Sequence, residues 1–174
     1  MANHKLGRYE IVAELGKGAM GTVYCAVDPL LNRTVAVKTI NMSADQDEMA
    51  DYEARFYQEA KAVGGLNHPN IVTVYDIGRS GNVAFLAMEL LEGQELRTLM
   101  APGARVAVAE AIDIAIQIAD GLAYAHEHEV VHRDIKPANI MIVRDGHVKI
   151  TDFGIAHMRS AEVRTQTGVL LGSP

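Results

Sequence analysis

The stretch VVHRDIKPANIMI, residues 130–142, limits what this chain can fold into more than any other. It sets His132, Arg133, Asp134, Lys136 and Asn139 between two apolar runs. The apolar flanks favour burial, so the charged centre has to stand at an opening in the fold. Thirteen residues past Asn139 comes Asp152, in Asp152-Phe153-Gly154, after the short runs IMIV and HVKIT. Arg144-Asp145-Gly146 separates those runs, and its Asp-Gly pair predicts a hairpin. The hairpin returns Asp152 to the neighbourhood of Asn139, which puts two oxygen donors suited to a hard cation at one point.

The rest of the chain shows two periodicities. YEIVAEL, TVYCAVD, TVAVKTI, IVTVYDIG and VAFLAMEL are rich in β-branched and aromatic residues and predict five strands. DPLLNR and RSGN read as turns between neighbours. Between the third and fourth strands, Met49, Tyr52, Phe56, Ala60 and Val63 recur at helical spacing. Ser43 and Gln46 fit a capping box before that helix, and Gly64-Gly65 fits its stop. Residues 105–128 predict a longer helix. There Ile112, Ile114, Ile116 and Ile118 also alternate with period two, which leaves a strand open. Length, many alanines and the Ile112/Ala115/Ile116/Ala119/Leu122 spacing favour the helix. Residues 157–172 are polar and read as a loop. With 49% hydrophobic and 22% charged residues, the 174-residue chain can bury a core, as one domain or two small lobes.

Gly16-Lys17-Gly18-Ala19-Met20-Gly21-Thr22-Val23 matches G-x-G-x-x-G-x-V. The glycines alone fit a dinucleotide-binding turn or an ordinary hairpin equally well. A dinucleotide turn needs a helix directly after it, whereas the strand TVYCAV follows here. A glycine turn between two strands lets backbone amides close over phosphates. Lys38 ends VAVK on the strand face that carries Ala36; by itself it fits a surface lysine as well. Glu59 lies 21 residues on, in the helix, and taken alone reads as solvated. A Lys38–Glu59 pair would hold the ammonium against phosphate oxygens. His126, His128 and His132 sit at a helix end leading into HRD, a context that argues against a metal site.

Taken together, GKGAMGTV, VAVK, HPNIV, HRDIKPANI and DFG resemble the protein kinase superfamily in order and spacing. The resemblance is strongest to bacterial eukaryotic-like Ser/Thr kinases, signalling enzymes, and runs from about Tyr9 to Pro174. It implies an α+β, protein-kinase-like fold. Residues 1–91, with a tail at 1–8, would be a small lobe of five antiparallel strands and one helix; 92–174 would be the first part of a helical large lobe. It implies ATP with Mg²⁺ (or Mn²⁺), and transfer of the γ-phosphoryl group to Ser/Thr hydroxyls of protein substrates.

By the same resemblance, Gly16, Gly18 and Gly21 would cover the ATP phosphates, with Leu15 beside them in the ATP site. Val23, Ala36 and Met141 would sandwich the adenine, Met88 would stand behind it as gatekeeper, and the backbone of Glu89 and Leu91 would bind its edge. Lys38 would bind the α/β-phosphates and pair with Glu59. Asp134 would accept or orient the hydroxyl proton, Lys136 would stand near the γ-phosphate, and Asn139 and Asp152 would hold Mg²⁺. Val63, Val74, His132 and Phe153 would stack into a spine between the lobes, which makes His132 a packing residue. Thr165 and Thr167 would be autophosphorylated, and Arg133 would pair with the phosphate.

Other classes fall away. A net charge of −6 without a basic run argues against nucleic-acid binding. Cys25 is the only cysteine, so no internal disulfide forms and a reducing compartment is expected. MANHKLGRYE is not a signal peptide, and VAVAEAIDIAIQIADGLAYA is broken by Glu110, Asp113 and Asp120, so no membrane segment is expected. The expected location is cytoplasmic, with any membrane anchor of the parent protein beyond residue 174. The resemblance also suggests a homodimer through the small lobe.

Gly172-Ser173-Pro174 resembles the start of a segment that continues in the family, so a fragment of a longer kinase is expected. One side of the Ile112–Leu122 helix would then be exposed, and activity towards peptides low. Two rival functions remain. Against a non-catalytic ATP-binding regulatory module stand the retained Lys38, Asp134 and Asp152; against a small-molecule phosphotransferase stand Lys136 and the TQT loop.

Overall fold

The computed structural model describes residues 5–18, 21–41 and 49–153. Six strands form an antiparallel sheet: β1 (Lys5–Leu6), β2 (Tyr9–Gly18), β3 (Gly21–Asp28), β4 (Arg33–Asn41), β5 (Val74–Ser80) and β6 (Val83–Met88), in the order β1-β2-β3-β4-β6-β5. The five expected strands are all present. Lys5–Leu6 adds a short sixth at the edge, inside the stretch read as a tail, by pairing with Tyr9 and Glu10.

β4 is central and buried on both faces, which explains its run of Val, Ala and Ile. Val35 and Val37 pack with Tyr9, Ala26 and Phe85 on one side. On the other side Ala36 meets Leu86, Met88 and Ala60, and Ile40 meets Phe56 and Ala84. Ala60 and Phe56 belong to α1 (Met49–Gly64), so this second face is the one the helix covers. Lys38 shares that face by strand alternation. The capping box at Ser43 and Gln46 lies outside the described residues.

The fourth expected strand begins at Val74 rather than Ile71. Ile71 and Val72 are used elsewhere: Ile71 bridges to Ile150 in parallel, and the Val72 N–H donates to the Ile150 carbonyl at 3.0 Å. After β6 come β7 (Gly93–Glu95), α2 (Leu96–Leu99), α3 (Val108–Glu127), β8 (Ile140–Val143) and β9 (Val148–Ile150), with order β7-β8-β9 in a second sheet. Sequence patterning missed β7, whose three residues carry no strand signal. The period-two ambiguity at 112–118 resolves as helix. The β8–β9 turn holds Asp145 at φ 59° and Gly146 at φ 73°, the two left-handed positions that an Asp-Gly hairpin supplies.

The two layers meet in one apolar core. Val63 of α1, Leu66, Ile71, Ile114 and Ala125 of α3, Ile140, Val148, Ile150 and Phe153 pack together there. Gly121 lets α3 approach closely, since a Cβ at that position would stand 2.9 Å from Ile150 Cδ1. The opposite side of α3 is open, with Val108, Ile112 and Ile116 all exposed. No helix among the described residues is long and apolar enough to cross a membrane.

Ile150→Ala removes a fully buried side chain at the centre of this core and is expected to cost about 3 kcal/mol of stability. Ile112→Ala, on the exposed side of α3, is expected to change it by less than about 0.5 kcal/mol. Urea unfolding of both variants beside the parent checks the contrast.

Candidate active site

The segment His132–Asn139 crosses the front of this core, and its shape is held by its own side chains. His132 is buried, and its ring lies 4.6 Å from that of Phe153. The Asp134 N–H donates to His132 Nδ1 at 3.2 Å, so Nε2 carries the proton and donates to the Thr151 carbonyl at 2.8 Å. The ring is therefore the neutral form, and burial lowers its pKa below the usual histidine value. Val63 and Phe153 share its core and Val74 packs against it, so the expected spine residues are together.

Asn139 is buried and fastens the two ends of the site. Its Nδ2 donates to the Asp134 carbonyl at 2.8 Å and to Asp134 Oδ2 at 3.1 Å. Its own carbonyl accepts from Thr151 N–H at 2.9 Å and Thr151 Oγ1 at 3.1 Å. Asp152, next in the chain, is thereby set beside Asn139, as the hairpin predicted. Lys136 Nζ donates to Asp134 Oδ2 at 2.6 Å. That ammonium, with the Asn139 amide, holds the Asp134 carboxyl below the usual carboxylate range, partial burial opposing them. Asp134 is therefore a carboxylate at neutral pH.

The Lys38–Glu59 pair expected from the sequence is not made in this structure. Lys38 Nζ instead lies 2.7 Å from Asp152 Oδ1. Glu59 Oε1 accepts from Arg133 at 3.1 Å, while its Oε2 is buried without a hydrogen-bond partner. The reason is competition. Asp152 is the carboxylate that the Thr151–Asn139 bonds hold within reach of Lys38, and Arg133 stands within reach of Glu59. Arg133 and Asp152 both have left-handed backbones, φ 65° and φ 60°, an unfavourable conformation for non-glycine residues that tertiary contacts must hold.

The strands place the other predicted residues. Gly16 pairs with Val23 and Gly18 with Gly21 across β2 and β3, and Val23 pairs with Lys38 across β3 and β4. Nothing stands within 4 Å of a Cβ built on Gly16, so the loop leaves open space there. Gly21, at φ 152°, has no room for a side chain: its Cβ would fall 1.8 Å from the Thr39 carbonyl oxygen. Val23, Ala36, Met88 and Leu91 share one cluster, and Ala36 pairs with Met88. Leu15 is exposed on β2. Met141 is half-buried on β8, paired with Glu95 and Lys149 and outside that cluster. The Glu89 N–H is already given to the Thr73 carbonyl at 2.9 Å. Thr165, Thr167 and Gly154 lie outside the described residues.

These residues fit a phosphate-bearing nucleotide with a hard cation. Asn139 has spent its amide N–H groups on Asp134, which leaves its side-chain oxygen as a donor beside the Asp152 carboxylate. No cluster of three or more His, Cys, Asp or Glu suited to a metal occurs among the described residues.

A lysine-tethered carboxylate, an Asp-Lys-Asn loop and a glycine turn between strands are features that phosphoryl-transfer sites share. The protein kinase domain model matches residues 9–171, and the chain belongs to that family. It is 40% identical over 167 residues to the serine/threonine-protein kinase PrkC of Bacillus subtilis, covering 96% of this chain and 26% of that protein. It is 41% identical over 172 residues to the serine/threonine-protein kinase PknA of Mycobacterium tuberculosis, covering 96% of this chain and 39% of that protein. The crystal structure of the M. tuberculosis PknI kinase domain superimposes with a TM-score of 0.79 at 31% identity, over 90% of this chain and 62% of that one. The chain thus spans well under half the length of these curated relatives.

Three contacts escaped sequence reasoning: Arg133–Glu59, Lys38–Asp152, and an ion pair between Lys149 and Glu89 at 2.9 Å. Nothing local in the sequence names the partner of Lys149.

Because the His132 pKa is depressed in the folded state, its contribution to stability is complete above the unfolded value near 6.5 and is lost as pH falls below it. Stability from urea unfolding is expected to fall through this group as pH is lowered from 7.5 to 5.5. His132→Phe is expected to lack that share of the slope.

Proposed function

We propose that this chain is the catalytic part of a Ser/Thr protein kinase that moves the ATP γ-phosphoryl group to protein hydroxyls. Residues 1–91 would serve as its small lobe and 92–174 as part of its large lobe. The observation that carries the reading is the meeting of Lys38, Asp152, Asn139, Asp134 and Lys136, drawn from separate strands and one loop, through contacts of 2.6–3.1 Å.

ATP supplies the transferable group, and Mg²⁺ screens its charge. The roles of the chain's own residues follow from their chemistry. Asp134, ionised and held by Lys136 and Asn139, orients the attacking hydroxyl and accepts its proton. Lys136 stands where the transferred group's charge builds up. Asn139 and Asp152 offer oxygen ligands to the cation. With Asp152 serving as a cation ligand, Lys38 would be free to meet phosphate oxygens and Glu59. The glycines at 16, 18 and 21 admit phosphates close to the backbone, and Val23, Ala36, Met88 and Leu91 supply an apolar seat for adenine, with Leu15 and Met141 at its margins. Thr165 and Thr167 are proposed autophosphorylation sites, with Arg133 as phosphate partner.

The exposed face of α3 supports the view that these 174 residues transfer phosphate weakly by themselves. Leu30 and Leu31, exposed on the β3–β4 turn, support a homodimer through the small lobe. A cytoplasmic setting remains part of the proposal.

The test is binding and transfer with labelled ATP and Mg²⁺. Asp152→Asn is expected to abolish most of the Mg²⁺ dependence of ATP binding, and Lys38→Met to weaken ATP binding. Asp134→Asn should leave binding intact and reduce transfer by at least about a hundredfold. Undisturbed nucleotide binding in Lys38→Met, or unchanged transfer in Asp134→Asn, would remove the site assignment.

A further inference from the structure

One side chain ties the segment after β6 to the strand that delivers Asp152. Lys149 stands on β9 between Val148 and Ile150, both fully buried, and its own side chain is only 15% exposed. Its ammonium lies 2.9 Å from Glu89 Oε2 and donates to the Ile71 carbonyl at 3.3 Å. The same Glu89 oxygen accepts the Thr73 N–H at 3.3 Å, and the Glu89 N–H donates to the Thr73 carbonyl at 2.9 Å. Residue 89 is therefore pinned through both its main chain and its side chain.

The anchor at the other end is equally firm. The Ile150 N–H donates to the Asn70 carbonyl at 2.8 Å, and Asn70 Nδ2 donates to the Val148 carbonyl at 2.9 Å. Gln117 of α3 accepts from the Val148 N–H at 2.8 Å and donates to the Gly146 carbonyl at 3.1 Å. An exposed ion pair is worth little, because water competes and two long side chains must be ordered. Lys149 differs, since it is shielded, makes two charge-assisted contacts, and joins segments already fixed by backbone bonds.

We propose that Lys149 is a positioning residue for the nucleotide: by holding Glu89 it fixes the backbone edge at 89–91 relative to Asp152, so that adenine and phosphates are met at one spacing. This rests on the reading of 89–91 as the adenine edge. With its N–H committed to Thr73, residue 89 presents its carbonyl to the base, and a carbonyl orients only as well as its own peptide plane is held. Without Lys149, the Glu89 carboxylate keeps one N–H partner and turns towards water.

The experiment is calorimetric titration of the 174-residue chain with adenosine, ADP and inorganic tripolyphosphate in Mg²⁺. Lys149→Met and Glu89→Gln are each expected to weaken adenosine and ADP about fivefold, the scale of one ordinary hydrogen bond. The double variant should be no weaker than either single one, Lys149→Arg should recover most of the affinity, and tripolyphosphate should bind unchanged throughout. Unchanged adenosine affinity in Lys149→Met overturns the proposal, as does a parallel loss for tripolyphosphate, which marks general loosening. Should Lys149→Met fail to fold by thermal melting, Glu89→Gln, which keeps the side chain's shape, decides by the same two criteria. Failure of the adenine-edge reading shows separately: the parent chain would then bind tripolyphosphate and not adenosine.

Discussion

The backbone of Ile150 holds this structure together. Its N–H goes to the Asn70 carbonyl and its carbonyl takes the Val72 N–H, while its strand pairs with β8 on the other side and its side chain is buried at the meeting of α1 and α3. Because both edges of β9 are used, the strand cannot slide without breaking bonds in two layers at once. Register matters here more than elsewhere: a slip by one residue would turn Val148 and Ile150 outwards and Lys149 inwards, and would carry Asp152 away from Asn139.

From that anchor the chemistry follows outward. Thr151 gives two hydrogen bonds to the Asn139 carbonyl, Asn139 gives two to Asp134, and His132 links Asp134 to Thr151 through its ring. The loop and strand form a closed circuit of hydrogen bonds. Left-handed backbone at Arg133 and Asp152 is tolerated because this circuit leaves those residues no other conformation. A neutral, buried His132 fits that role, since a charged ring would have to leave the core.

The charged groups are arranged by reach. Lys38 rests on Asp152, and Glu59 on Arg133. Among the described residues, Glu59 Oε2 is buried with no hydrogen-bond partner.

Much of this was legible in one dimension. Strand alternation, the Asp-Gly hairpin, the glycine turn and the HRD and DFG spacings are local signals, and they were enough to name the family and to bring Asp134, Asn139 and Asp152 together. The helix at 108–127 was legible because its length and alanines outweighed a competing period-two pattern. What the sequence could not determine was which opposite charge each side chain would meet. Lys38 was expected to meet Glu59 and meets Asp152 instead, and Ile71 and Val72 read as strand until their bonds to Ile150 took them out of it. Charge pairing depends on distances between segments far apart in the chain. Those distances exist only after α1, β9 and the segment 70–73 have packed against one another.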